Sequence, residues 1–258
     1  MEAVDRAYGE CAAPELEQRL RELADAAGAD FGTESAEYAA LRSELGSFYR
    51  GQTRFSESET ELSAALDILK SAVGVNSPDY ATALNNLAGT HRRMGEFGRA
   101  SAEFAEALEI YEHTVGKRHV LYAAGLNNLS LLCMDQNDLA GAADYLQKAS
   151  DILDALPECR DELAASLCNL AALDLRLNRA ADGIPLLQRA IALFEGPLGT
   201  DTPHYHAALT TLGLCRCRLG DISGARDALQ KAADAAKALY GEMHAEYRGI
   251  MQYLDAIK

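Results

Sequence analysis

An aromatic or leucine position returns at a fixed interval along this chain: Tyr38, Tyr80, Tyr122, Leu163, Tyr205 and Tyr247 stand 41 or 42 residues apart. Seven residues behind each comes a leucine, at Leu45, Leu87, Leu129, Leu170, Leu212 and Leu254. Glycine makes a third ladder at Gly32, Gly74, Gly116, Gly199 and Gly241, with Glu158 in the one place where the chain is a residue short. A fixed period of this length means stacked supersecondary units, each resting on its neighbours. The class of fold is constrained before any search for an active site begins.

The cleanest unit is residues 78 to 116, PDYATALNNLAGTHRRMGEFGRASAEFAEALEIYEHTVG. Apolar or small residues at 80, 84, 87 and 88, with His91 in line after them, follow helical spacing and predict one buried stripe over Tyr80 to Met94. Ser77 supplies a cap, with Pro78 in the first turn where its missing N–H costs nothing. Gly95 ends that helix. A second helix is predicted from about Gly98 to His113, with Ala100, Phe104, Ala107, Leu108 and Tyr111 on one face and Gly116 as the left-handed stop. Alanines let the paired helices approach, and Leu87 and Phe104 fill the space between them.

The same pattern recurs over 41–74, 125–158, 166–199 and 208–241, giving five complete pairs. Residues 15–27 match a preceding second helix, residues 1–9 the stub of its first helix, and 245–257 a lone first helix closing the far end. The expectation is an all-α superhelix in one domain over 1–258. It comprises a partial repeat over 1–32, full repeats over 33–74, 75–116, 117–158, 159–199 and 200–241, and a capping helix over 242–258.

Composition narrows the partners. Lys plus Arg number 24 against 39 Asp plus Glu, a formal charge of −15, whereas nucleic acid and anionic membrane both reward a basic face. No apolar run reaches the roughly 18 residues of a membrane span, and the N-terminus MEAVDRAYGEC has no export signal. The six cysteines, Cys11, Cys133, Cys159, Cys168, Cys215 and Cys217, lack framework spacing and read as free thiols of a cytoplasmic protein.

The Leu-Ala/Gly pairs (Leu45-Gly46, Leu87-Ala88, Leu212-Gly213), the mid-repeat glycines Gly95 and Gly220, and the alanines Ala65, Ala107, Ala149, Ala190 and Ala232 resemble tetratricopeptide repeats. The 42-residue period, with PDYATALNNLA and the glycine ladder, is most similar to the repeats of the kinesin light chain family. The heptad coiled coil that precedes those repeats has no counterpart here, so motor binding is not implied. The resemblance implies that first helices line a concave wall and second helices a convex one.

On that implied wall the second repeat places Thr82, Asn85, Asn86, Gly89, Arg92 and Arg93. Corresponding residues are Ser43 and Arg50 in the first repeat, Asn127, Asn128 and Met134 in the third, Cys168, Asn169, Leu175 and Arg176 in the fourth, and Thr210, Thr211 and Arg218 in the fifth. Asn86, Asn128 and Asn169 form a row that Thr211 continues. An asparagine offers both a donor and an acceptor, suited to an extended peptide backbone, and by resemblance equivalent asparagines hold peptides in that way. Arg50, Arg92, Arg93, Arg176 and Arg218 would favour an acidic segment or a carboxylate. The same side chains could instead tie neighbouring helices together and pair with nearby acids; both readings stand at this point. The clamp that holds heat-shock chaperone tails needs a lysine where this chain has Ser43, Asn85, Asn127, Cys168 and Thr210, so that activity is not expected.

A position usually filled by a buried aromatic runs Tyr49, His91, Cys133, Asp174, Arg216. Asp174 and Arg216 could pair across adjacent repeats, or both could reach solvent. His204, His206, Cys215 and Cys217 meet no structural metal spacing, and no phosphate loop or nucleophile elbow is present. No enzyme activity, cofactor or metal is therefore expected. The reading is a protein-interaction scaffold, a monomer or weak homodimer, that binds a protein or peptide segment in the groove. The alternatives are a regulatory sensor module of a bacterial signalling or transcription system, and a self-assembling scaffold.

Overall fold

The computed structural model describes residues 3–4 and 13–257. Cys11 and the stub expected over 1–9 lie outside the described residues, apart from Ala3 and Val4. Every regular element among the described residues is helical. In chain order they are α1 (Ala13–Phe31), α2 (Ala36–Gly51), α3 (Phe55–Ala72), α4 (Pro78–Met94), α5 (Phe97–Thr114), α6 (Val120–Asp135), α7 (Leu139–Asp154), α8 (Arg160–Arg176), α9 (Ala180–Leu193), α10 (Pro203–Arg218), α11 (Ile222–Tyr240) and α12 (Ala245–Ala256). None is long and apolar enough to cross a membrane. The chain divides into two compact units, Met1–Leu132 and Cys133–Lys258.

Local chemistry sets the helix ends. Ser77 has extended backbone and its Oγ accepts the Tyr80 N–H, with Pro78 in the first turn; Thr202 and Pro203 repeat that arrangement before α10. Between the two helices of each pair one residue is left-handed: Thr53 (φ 59°), Gly95 (φ 82°), Asn137 (φ 61°), Asn178 (φ 63°) and Gly220 (φ 81°). Second helices α3 and α5 stop at left-handed Gly74 and Gly116, whose N–H groups return to the Leu69 and Tyr111 carbonyls. After α7, where Glu158 replaces the glycine, no left-handed residue occurs over 155–159. After α9 a π-helical turn, Phe194–Leu198, carries the chain to left-handed Gly199.

Within the first unit α1 packs on α2, α2 pairs with α3, α3 rests on α4, and α4 pairs with α5. Leu20, Leu62 and Phe104 take the same place on successive second helices and are fully buried. Ala65 and Ala107 are buried without remainder, as the close approach of helices requires. Val4, Leu16, Leu45, Phe48 and Tyr49 close the core at the α1 end. Polar ties run between elements as well. Ser58 and Thr90 share a buried hydrogen bond at 2.8 Å. His91, wholly enclosed, places Nδ1 2.6 Å from Glu103 of α5 and Nε2 3.3 Å from Glu59 of α3. Tyr49 donates to Glu17, which also takes Arg54 and Arg21.

The second unit repeats the scheme: α7 packs on α8, α8 pairs with α9, α9 rests on α10, α10 pairs with α11, and α12 lies on α11. Leu146, Leu187 and Leu229, with Ala149, Ala190 and Ala232, are its buried counterparts. The pairing considered between Asp174 and Arg216 does not form. Asp174 is buried but takes Arg179 at 2.6 Å, while Arg216 donates to the Gly224 carbonyl at 2.9 Å and lies 3.8 Å from Asp221. The left-handed turn at Asn178 folds Arg179 back onto the end of α8, a contact that helical spacing does not forecast. Burial pushes the Asp174 carboxyl up, and the Arg179 guanidinium only partly offsets it.

Candidate functional site

In the first unit the candidate residues sit on α2, α4 and α6, the first helices of their pairs. Arg50, near the end of α2, reaches across to α4 and donates from Nη1 to the Asn86 carbonyl at 2.7 Å. The same nitrogen lies 2.7 Å from where a Cβ on Gly89 would stand. The space at Gly89 thus receives Arg50, not a ligand. Arg92 is half-buried and already engaged within the protein. Arg93 is exposed with its guanidinium over the Phe55 ring, 5.7 Å from its centre, a cation–π contact that turns it toward α3.

The asparagines behave differently from the arginines. Asn86 is half-buried, and among the described residues only its carbonyl is used, by Arg50 and by Thr90 at 3.3 Å. Asn85, 6% exposed, buries an Oδ1 with no hydrogen-bond partner among the described residues. Ser43, the same repeat position on α2 and 7% exposed, likewise has an unpartnered Oγ. On α6, Asn127 and Asn128 are half-buried; the Asn127 carbonyl accepts from Ser130 and that residue has further engagement. An orphaned buried polar atom costs about 1–3 kcal/mol, so two on equivalent first-helix positions call for an account.

A cleft of about 290 Å³ opens between α2 and α4. Ala40 and Leu69 give it apolar wall, Ser43 and Asn86 contribute polar groups, and Glu44 and Asp79 contribute carboxylates. Sequence reasoning placed Ser43, Thr82 and Asn86 on this face but missed the cleft. The legible signal was the run of small residues Ala36, Ala40 and Ala83 on facing helix surfaces, which leaves room between the two backbones.

In the second unit Asn169 is half-buried on α8 beside Cys168, whose thiol burial pushes up to about 12. Arg176 is exposed at the end of that helix. The Thr211 hydroxyl donates to the Ala207 carbonyl of its own helix at 2.9 Å. Arg218 donates to Asn178 Oδ1 at 3.2 Å in the neighbouring pair. His206 is buried with Nε2 unpartnered among the described residues, and its ring meets Tyr240 edge-on, while His244 stacks on Tyr240. Among the described residues no three His, Cys, Asp or Glu side chains gather as metal ligands would.

No curated protein is similar enough to this chain to match it. Among solved structures, BtubC (BKLC) from P. vanneervenii is 18% identical, with a TM-score of 0.69 over 93% of this chain and 92% of that one. A putative kinesin light chain from Podosopora anserina with nearly identical TPR-like repeats is 17% identical, with a TM-score of 0.61 over 77% of this chain and 95% of that one. A Rap protein complexed with Competence and Sporulation Factor is 15% identical, with a TM-score of 0.66 over 94% of this chain and 69% of that one. At such identities the likeness is one of fold. The sequence itself matches the tetratricopeptide repeat profile over residues 37–113, 92–155 and 162–238. With most of its length covered by those matches, this chain belongs to the tetratricopeptide repeat family.

Proposed function

We propose that this chain is a non-catalytic interaction scaffold, whose first helices hold a partner protein through open asparagine amides, Asn86 and Asn128 in the first unit and Asn169 in the second. What carries the reading is the state of these amides: all three are half-buried on first helices and make no hydrogen bond among the described residues. Amides kept to tie helices together would be paired, as Ser58 with Thr90 and Arg50 with the Asn86 carbonyl are paired. Each open amide offers a donor and an acceptor to an extended backbone. The arginines contribute less than the sequence alone suggests. Arg50, Arg92, Arg93 and Arg218 already serve contacts within the protein, which leaves Arg176 as the exposed cation of that set with no such contact among the described residues. An acidic preference therefore has little support from this lining.

The test compares wild type with Asn86→Ala/Asn128→Ala/Asn169→Ala as bait in native lysate. Both baits also carry a photo-crosslinking residue on α6. Partners that crosslink to the wild type and drop by about tenfold or more with the triple variant, its helicity unchanged, fit a loss of several backbone hydrogen bonds at about 1 kcal/mol each. Equal capture by both baits would move binding off the first helices.

A further inference from the structure

We infer that the α2–α4 cleft of the first unit is a subsite for a cationic side chain, a lysine or arginine carried by the partner segment. The inference rests on the proposed first-helix binding face and adds its chemical preference at one place. Three observations converge there. The cleft holds about 290 Å³, room for a long side chain between the two first helices. Its lining includes two carboxylates, Glu44 and Asp79, and none of the described lining residues is basic. Ser43, which lines it, is 93% buried with an Oγ that no described group hydrogen-bonds.

The chemistry fits a side chain that is apolar along its stem and charged at its tip. Ala40 and Leu69 cover methylene groups, as they would along any lysine stem. An ammonium or guanidinium head offers several N–H donors and nothing that accepts. Ser43 Oγ and the Asn86 amide oxygen can each take one of them, with the carboxylates supplying the charge. A carboxylate-bearing segment would instead meet Glu44 and Asp79 as like charges. Arg50, further along α2, donates to the Asn86 carbonyl and is not part of the lining, while Glu44 keeps a further interaction within the protein.

The experiment follows backbone amide resonances of the 15N-labelled full chain during titration with three end-capped amino acids: N-acetyl-lysine, N-acetyl-norleucine and N-acetyl-glutamate methylamides. The lysine probe is expected to shift the Ser43, Thr82 and Asn86 resonances saturably. Its binding should be about threefold tighter than that of norleucine, the increment of a partly exposed ion pair, and the preference should disappear in Glu44→Gln/Asp79→Asn. Equal or tighter binding of the norleucine or glutamate probe at the same resonances would overturn the cationic preference and leave the first-helix binding face standing. A lysine preference that survives in the double variant would overturn it too, because the carboxylates would not be its source. If no probe shifts these resonances the subsite is absent, and the asparagine variants above decide the wider reading separately.

Discussion

Replacing His91 by phenylalanine removes two polar contacts from the first unit while leaving a ring of similar size in place. The imidazole is wholly enclosed, with Nδ1 2.6 Å from Glu103 and Nε2 3.3 Å from Glu59. Glu103, 15% exposed, loses its short contact and keeps only the longer one to Arg99 at 3.4 Å, whereas Glu59, 32% exposed, keeps Arg99 at 3.0 Å. A hydrogen bond to a charged group contributes about 1.5–3 kcal/mol, and the longer contact to the wetter carboxylate adds little, so the expected cost is about 2 kcal/mol. With a urea m-value of about 3 kcal/mol/M for a chain of this size, the midpoint falls by about 0.7 M. Circular dichroism at 222 nm follows the unfolding. Hydrogen exchange of the α4 amides reads the same loss locally, because neighbour-coupled repeats do not have to melt as one. The double change His91→Phe/Glu103→Leu should recover most of the loss, since the partly buried carboxylate that has lost its short contact is then gone. A single-variant cost below about 0.5 kcal/mol, or a double variant whose cost is the plain sum of the two singles, would refute the coupling; the imidazole would then be filler.

Two further outcomes follow from the turns and the charges. Thr53→Gly should stabilise the first unit by about 0.5–1 kcal/mol in urea unfolding: the left-handed backbone at φ 59° costs a β-branched residue about 1–2 kcal/mol, and glycine's extra unfolded freedom returns about half of that. A loss of stability instead would mean that the Thr53 side chain contributes more than its backbone costs. The hydrogen bond from Arg54 holds the Glu17 carboxyl well below the usual range near 4.5, at about 2, with Tyr49 and Arg21 adding to it against burial. Because the folded value lies below the unfolded one, this contribution is complete above about 4.5 and fades as pH falls toward 2. Glu17→Gln should flatten the acid limb of the stability–pH curve over that window, and an unchanged limb would sink the assignment.

Much of the fold is written in local chemistry. Ser77-Pro78, Gly95 and Gly116 announce the bounds of α4 and α5 within a residue or two, because caps and left-handed stops depend on the residue itself and not on its distant neighbours. The buried ladders at Leu62, Phe104, Leu146, Leu187 and Leu229 follow from the period for the same reason. Thr53 carried no such signal, since a β-branched residue is a poor candidate for positive φ and the surrounding packing overrides that preference. The candidate site was legible only in part. Helical spacing places Asn86 and Arg50 on first-helix faces, but it is blind to how far a long side chain reaches. Arg50 crosses to the next helix and Arg93 turns onto Phe55. Asp174 likewise finds Arg179 through a turn instead of finding Arg216 through the repeat. The α2–α4 cleft is set by the absence of side-chain volume at Ala36, Ala40 and Ala83, and absent volume leaves a weaker mark on a sequence than a charge does.

The left-handed residue between paired helices also bears on how such a chain can change length. The offset from Leu45 to Leu62 recurs unaltered in Leu87 to Phe104, Leu129 to Leu146, Leu170 to Leu187 and Leu212 to Leu229, and the left-handed residue keeps its place inside each. The one missing residue falls instead between Leu146 and Leu170, where the connection after α7 has given up its glycine stop. Tolerance to insertion and deletion is thus confined to the joints between pairs, while the interior of a pair is a part of fixed gauge. Duplicating, removing or exchanging a repeat preserves every helix-to-helix turn only if the cut is made at those joints, which makes the pair the heritable module of this chain.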